Sequence, residues 1–349
     1  MNEKYKTRNK NLNESSLFDK MTNYAITGGL GFLGQFIVNE ILKNDKNSKI
    51  KIISRSNIKK LYHNVLNDSR VSFISSNLLT EKKFKYLNNV DYVIHNAALV
   101  SFKSKDKNKM YKVNVNGTIN LIEACKKYKI KRFVYVSSIS AINITGEKGL
   151  LSDERNFQDE NNPFINHYTK SKTIAEKKLH QIADSLNYVI GCPSVILGPG
   201  DERVIKVLKI FNLLPIILVT NPIQSTIDVR DCAEAFYFLL KHGKNKERYI
   251  ISNQRISMSK LVSLFFKSLK RKKIILKIPK ILIDLLKPFV FIIEKIFVNS
   301  KINIAALESA TANKEFSNKK IKDLGFEFKY PLTKTIEDII NWYKNERSK

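Results

Sequence analysis

Tyr168 and Lys172 stand four residues apart in Tyr168-Thr169-Lys170-Ser171-Lys172, a spacing that puts a phenol and an ammonium on one face of a helix. Proton transfer is the chemistry such a pair could do. A phenol near its reference pKa of about 10 is a poor base at neutral pH, whereas a neighbouring cation favours phenolate and tunes the group toward general acid/base work. The spacing is also common on ordinary helix surfaces. It gains weight here from Val136-Ser137-Ser138, a strand-like run ending in hydroxyls that could reach the same edge of a sheet.

A second constellation, Thr27-Gly28-Gly29-Leu30-Gly31-Phe32-Leu33-Gly34, follows strand-like Asn23 to Thr27 and opens a helical pattern from Gly31 to Leu42. It contains two three-glycine spacings, Gly29/Gly31/Gly34 and Gly28/Gly31/Gly34. Glycines in that position let the backbone turn tightly, approach a pyrophosphate and seat the helix against the strand, with the helix N–H groups facing the phosphates. The next strand ends at Ser54-Arg55. An acidic side chain there would bind the ribose 2′-OH of NAD; a guanidinium can pair with a phosphate instead, so NADP(H) is expected, with NAD(H) as the alternative.

The elements that must position these groups alternate. Apolar runs at Lys49 to Ile53, Val71 to Ile74, Tyr92 to His95, Arg132 to Ser137 and Tyr188 to Pro193 are separated by helical patterns around Val113 to Tyr128 and Tyr168 to Leu186. This alternation predicts an α/β fold, a doubly wound parallel sheet (Rossmann fold) that binds ligands outside the carboxyl ends of its strands. Beyond Gly198-Pro199-Gly200 the pattern loosens. Residues 22–200 are expected to form the nucleotide-binding domain, and residues 201–349 a smaller helix-rich C-terminal substrate lobe interleaved with the last strands.

TGGLGFLG, DYVIHNAA (Asp91 to Ala98), NVNGT (Asn114 to Thr118), VSS before YTKSK, and PSVILGPGD together resemble the extended short-chain dehydrogenase/reductases over roughly residues 22–345. The resemblance implies an NAD(P)-dependent enzyme. In it Ser138 would hold the substrate carbonyl, Tyr168 would move its proton, Lys172 would lower the Tyr168 pKa and bind the nicotinamide ribose, and Asn116 would support them. Gly28, Gly31, Phe32, Leu33, Gly34, Ser54 and Arg55 would line the cofactor. So would Asn77-Leu78 (in place of an Asp-Leu pair), Ala97-Ala98 and Pro193.

Two classes of enzyme share this machinery, simple ketone or alcohol oxidoreductases and nucleotide-sugar epimerases or dehydratases. Pro193-Ser194-Val195-Ile196-Leu197-Gly198 lacks the Asn that the sugar-nucleotide enzymes typically carry, and looks more like the dihydroflavonol-reductase and 3β-hydroxysteroid-dehydrogenase branch. A hydrophobic ketone or alcohol is therefore expected, with the nucleotide-sugar reaction as the alternative. A non-catalytic dinucleotide sensor is the third reading, disfavoured because Tyr168 and Lys172 are both present.

The bulk numbers add exclusions. A net charge of +29 would suit a polyanion, but 50 of the 61 basic residues are Lys spread along the whole chain, and no nucleic-acid motif accompanies them. Cys125, Cys192 and Cys232 lie far apart, so neither a metal site nor a disulfide framework is expected, and a cytoplasmic protein fits. Residues 1–21 read as a disordered basic tail without an apolar centre. Ile274 to Val298 is apolar but broken by Lys277, Lys280, Asp284, Lys287, Glu294, Lys295, Pro279 and Pro288. Two short amphipathic helices are expected there, capping a pocket; peripheral membrane contact is the less favoured reading. Asp231 is expected to cap a helix. A homodimer is left open.

Overall fold

The computed structural model describes residues 21–55, 65–101, 104–162, 165–296 and 304–347. The tail at 1–20 and Val298 lie outside the described residues. The first strands and helices are β1 (Thr22–Thr27), α1 (Phe32–Asn44), β2 (Ser48–Ser54), β3 (Val71–Ser75), β4 (Tyr92–His95), α2 (Lys107–Tyr111) and α3 (Gly117–Lys127). They are followed by β5 (Arg132–Val136), α4 (His167–Ile182) and β6 (Tyr188–Pro193). After β7 (Val195–Leu197), α5 (Glu202–Leu213), β8 (Ile216–Val219), β9 (Ile223–Asp228) and α6 (Val229–His242), the chain returns to the main sheet at β10 (Arg248–Ile251).

Seven parallel strands lie in the order β10-β6-β5-β4-β1-β2-β3. The order runs outward from β1 toward β3 and from β4 toward β10. The crevice between β1 and β4 is therefore the topological switch point, where open α/β sheets bind ligands. Register puts Thr27 beside His95 and His95 beside Tyr135, one row across the carboxyl edge. Strands sandwiched between helices bury both faces, and every residue of β6 is buried accordingly. On one face Ile26, Ile50 and Val134 meet α1 and α6; on the other Val93, Phe133 and Tyr135 meet α3 and α4.

The C-terminal lobe contains β11 (Gln254–Ser257), α7 (Met258–Ser268), β12 (Ile274–Lys277), α8 (Lys280–Ile296), α9 (Ile304–Thr311), α10 (Lys319–Asp323) and α11 (Leu332–Arg347). It is less purely helical than the sequence suggests. β11, β9 and β7 form one small sheet, and β12 pairs with β8 in parallel. The segment from Ile274 thus gives a strand and one helix in place of two helices. Pro279 lies just ahead of α8, where a missing N–H costs little, and Pro288 is carried inside the helix. Asp228, not Asp231, caps α6 by accepting the Arg230 N–H at 2.8 Å. Asp231 lies in the first turn and accepts instead from the Lys329 and Tyr330 N–H groups, which ties the chain ahead of α11 to α6.

Candidate active site

The turn between β1 and α1 is shaped by contacts that leave no room for a Cβ. Gly28 adopts φ +68°, and a Cβ there would sit 2.8 Å from the Ala97 backbone nitrogen; one on Gly34 would sit 2.1 Å from the Gly28 carbonyl oxygen. Helix α1 consequently starts against the end of β1, with the Gly28 carbonyl accepting from the Gly31 N–H and the Asn96 side chain. Gly31, Phe32 and Leu33 face a cavity of about 1350 Å³ at the switch point, while Gly34 supports the turn from behind. Ser54, Arg55, Asn77, Leu78, Ala97, Ala98 and Pro193 line the same cavity. Arg55 is exposed and also borders an adjoining recess with Lys82, Lys83 and Lys85 on its rim.

Ser138, Tyr168 and Lys172 come together at the other end of this space, although thirty residues of chain separate the serine from the tyrosine. Helix α4 is started by Asn166, whose side chain accepts the Thr169 N–H at 2.8 Å, and that cap sets Tyr168 in the first turn. Burial holds the Tyr168 phenol above its ordinary pKa of 10.0; the hydrogen bond with Ser138 and the Arg203 guanidinium pull it down. Ser138 itself accepts the Ser140 N–H at 3.1 Å, which fixes its hydroxyl at the strand end.

Lys172 is buried. Its ammonium donates to the Val136 carbonyl at 2.7 Å and the Tyr135 hydroxyl at 3.2 Å, and lies 4.6 Å from the Tyr135 ring centre. Ser138 and Arg203 are thus groups that draw Tyr168 toward ionisation. Desolvation lowers Lys172 from 10.5 to about 8, partly offset by the Glu176 carboxylate one helical turn away. The unfolded chain therefore holds the extra proton between those two values: stability from this group is present above pH 10.5 and is lost as pH falls through about 8. In protein stripped of cofactor, the urea midpoint of the wild type should rise relative to that of Lys172→Met across that window. Parallel pH dependences of the two proteins would contradict it.

Of the expected residues, Asn116 is the one the structure turns elsewhere. The chain makes a π-helical turn at Lys112–Asn116, in which Asn116 is exposed and Asn114 is buried. Asn114 accepts the Leu99 N–H at 2.7 Å and donates to the Leu99 carbonyl and to Ser171 of α4, each at 3.0 Å. It therefore holds the loop after β4 to the helix that carries Tyr168. His95 is a satisfied core residue between Thr27 and Thr118, kept neutral by a pKa lowered to about 3 through burial and Lys172. Among the described residues no three His, Cys, Asp or Glu side chains gather as a metal site.

Glu176 and Arg203, which no motif singled out, adjoin the site, as does Ser194. Glu176 continues the Tyr168/Lys172 face and forms a buried ion pair with Arg248 at 2.8 Å. The Arg203 guanidinium donates two hydrogen bonds to buried Asp201 and lies 5.8 Å from the Phe32 ring centre. Ser194 carries a buried hydroxyl with no hydrogen-bond partner, beside Pro193 in the wall of the cavity. A buried hydroxyl without a partner costs free energy. A polar group of a bound molecule would satisfy it, so the glycine turn, Arg55 and Ser194 fit a dinucleotide lying across the switch point.

Residues 25–228 match the model of the 3-beta hydroxysteroid dehydrogenase/isomerase family. Dihydroflavonol 4-reductase from Arabidopsis thaliana is 26% identical over 88% of this chain and 78% of its own length. Among solved structures, gox2253 aligns with TM-score 0.78 at 22% identity over 93% of this chain and 98% of its own. A dTDP-glucose 4,6-dehydratase from Bacillus anthracis, solved in complex with NAD, gives TM-score 0.71 at 19% identity over 94% of this chain and 98% of its own.

Proposed function

The chain belongs to the 3-beta hydroxysteroid dehydrogenase/isomerase family, and from that membership we propose that it interconverts a hydrophobic ketone and its secondary alcohol with NADP(H), using Tyr168 as general acid/base. It is an NAD(P)-dependent enzyme of the extended short-chain dehydrogenase/reductase type that acts on a small molecule. The observation that carries the substrate reading is the wall of the cavity beyond Tyr168. There Val207, Leu208 and Phe211 of α5 face Leu261, Val262 and Phe265 of α7, an apolar chamber that a sugar diphosphate would enter at the cost of its hydration.

The nicotinamide cofactor, when bound, supplies or accepts the hydride. In this reading Ser138 donates a hydrogen bond to the substrate oxygen, which stabilises negative charge as it develops there. Tyr168 hands that oxygen its proton in reduction and takes it back in oxidation. Lys172, fixed by the Val136 carbonyl and the Tyr135 hydroxyl, holds positive charge beneath the reacting end and has a remaining N–H for a ribose hydroxyl. Purified protein offered apolar ketones and nucleotide sugars in parallel, with reduced-cofactor absorbance followed, tests the assignment. Turnover of the ketones supports it; turnover of nucleotide sugars alone would overturn it.

Arg55 motivates the preference for NADP(H), since it brings a guanidinium and no carboxylate to the end of β2, with Lys82, Lys83 and Lys85 outnumbering Glu81 around the adjoining recess. NADPH should bind at least about tenfold more tightly than NADH, and Arg55→Ala should erase most of that difference while leaving NADH affinity nearly unchanged. Titration of reduced-cofactor fluorescence measures both. An unchanged preference in the variant would remove Arg55 from the role.

A further inference from the structure

The C-terminal lobe turns an apolar face outward. Helix α5 exposes Val207, Ile210 and Leu213, the last at 82%. The chain then enters β8, whose Ile216 and Leu218 point to solvent and stand in register with exposed Ile274 and Leu276 of β12. Helix α8 follows, with Ile281, Leu282, Leu285, Leu286 and Phe289 exposed at helical spacing. Scattered exposed apolar residues are ordinary, but exposed apolar residues on two paired strands and on the helices that precede and follow them mark an interaction surface.

The charge around this face is one-sided. Ile256 to Ile283 contains eight Lys or Arg and no Asp or Glu. Lys270, Arg271, Lys272, Lys277 and Lys280 are exposed. The stretch is fixed beside the end of α5, because Arg271 hydrogen-bonds Asn212 and the Lys273 ammonium donates to the Asn212 and Leu214 carbonyls at 2.8 and 2.7 Å. Two copies of this chain meeting through this face would press like charges together, which disfavours self-association. An anionic bilayer answers both features, taking the apolar side chains into its interfacial zone and the cations to its headgroups.

We infer that the face formed by α5, β8, β12 and α8 docks the lobe onto an anionic membrane surface. It lies on the bilayer and does not cross it: no described helix is long and apolar enough to span, and α8 carries an Asp284–Lys287 ion pair at 2.6 Å. Val207, which lines the cavity, lies one turn from exposed Ile210 on α5, so the apolar chamber lies beside the docking surface. A lipid-dissolved substrate would then enter without crossing water, a consequence that rests on the hydrophobic-substrate reading, whereas docking itself does not.

Flotation of the full chain with vesicles tests this without any substrate. At about 0.1 M salt, vesicles of phosphatidylcholine with one-third phosphatidylglycerol should carry roughly tenfold more protein than phosphatidylcholine alone. Leu213→Asp/Leu218→Asp should lose that binding, and so should Lys270→Glu/Lys272→Glu, each with wild-type thermal midpoint and cofactor affinity. Protein that stays unbound with both vesicles, or variants that float as well as the wild type, would overturn the proposal. A dimer split by Leu213→Asp/Leu218→Asp that does not float would also overturn it, assigning the face to a second copy. Ketone turnover lost without loss of flotation would count against the substrate reading alone.

Discussion

Arg248→Met should lower the free energy of unfolding at neutral pH by about 3–5 kcal/mol, the usual cost of leaving one member of a buried ion pair without its partner. Glu176 is fully buried and Arg248 nearly so, and their charged atoms meet at 2.8 Å. The remaining Glu176 oxygen accepts from the Ser137 hydroxyl and the Cys192 thiol, while the guanidinium donates to the Glu154 and Ala141 carbonyls and stacks 3.9 Å from the Phe157 ring centre. Burial holds the Glu176 pKa above its ordinary value against the pull of Arg248, Ser137 and Lys172. Removing Arg248 raises it further. A carboxyl whose folded pKa is raised gives its stability at low pH and loses it as pH rises through that pKa, so the deficit of Arg248→Met should shrink on acidification. Glu176→Gln/Arg248→Met should cost less than Arg248→Met alone, because no charge is stranded. Denaturant unfolding at two pH values gives all three comparisons. A deficit below about 1 kcal/mol, or one independent of pH, would show that the pair is not the buried network described here.

Much of the nucleotide-binding half was legible before any coordinates, and for a physical reason. Parallel strands buried on both faces must be apolar along their length, so β4 and β6 appear at their observed residues, and the β1–α1 turn can be built only from glycine at Gly28 and Gly34. The lobe was less readable. Ile216–Val219 and Ile274–Lys277 are four-residue strands in apolar stretches, too short for a period of two to be told from helix, and they recognise each other across more than fifty residues of chain. Asn114 and Asn116 pose the same difficulty in miniature. Residues two apart on a helix face different ways, and only the π-helical turn decides which one points inward. Glu176 did leave a signal, standing four residues beyond Lys172 on the Tyr168 face; its partner Arg248, on β10, did not.

Tyr168→Phe should lower turnover of a hydrophobic ketone by at least about 10²-fold with cofactor affinity little changed. The substitution keeps the ring and its packing and removes the proton that the substrate oxygen must receive. In the proposed mechanism Ser138 and Tyr168 act on one oxygen, and Ser138 is among the groups that pull the phenol toward ionisation. Ser138→Ala should therefore also slow turnover, and the double variant should be little worse than Tyr168→Phe alone, as for groups that work as one unit. Single-turnover oxidation of NADPH by saturating ketone isolates the chemical step from product release. A slow single-turnover rate is expected in Tyr168→Phe beside a fluorescence-measured NADPH affinity within about twofold of the wild type. A single-turnover rate close to that of the wild type would contradict it.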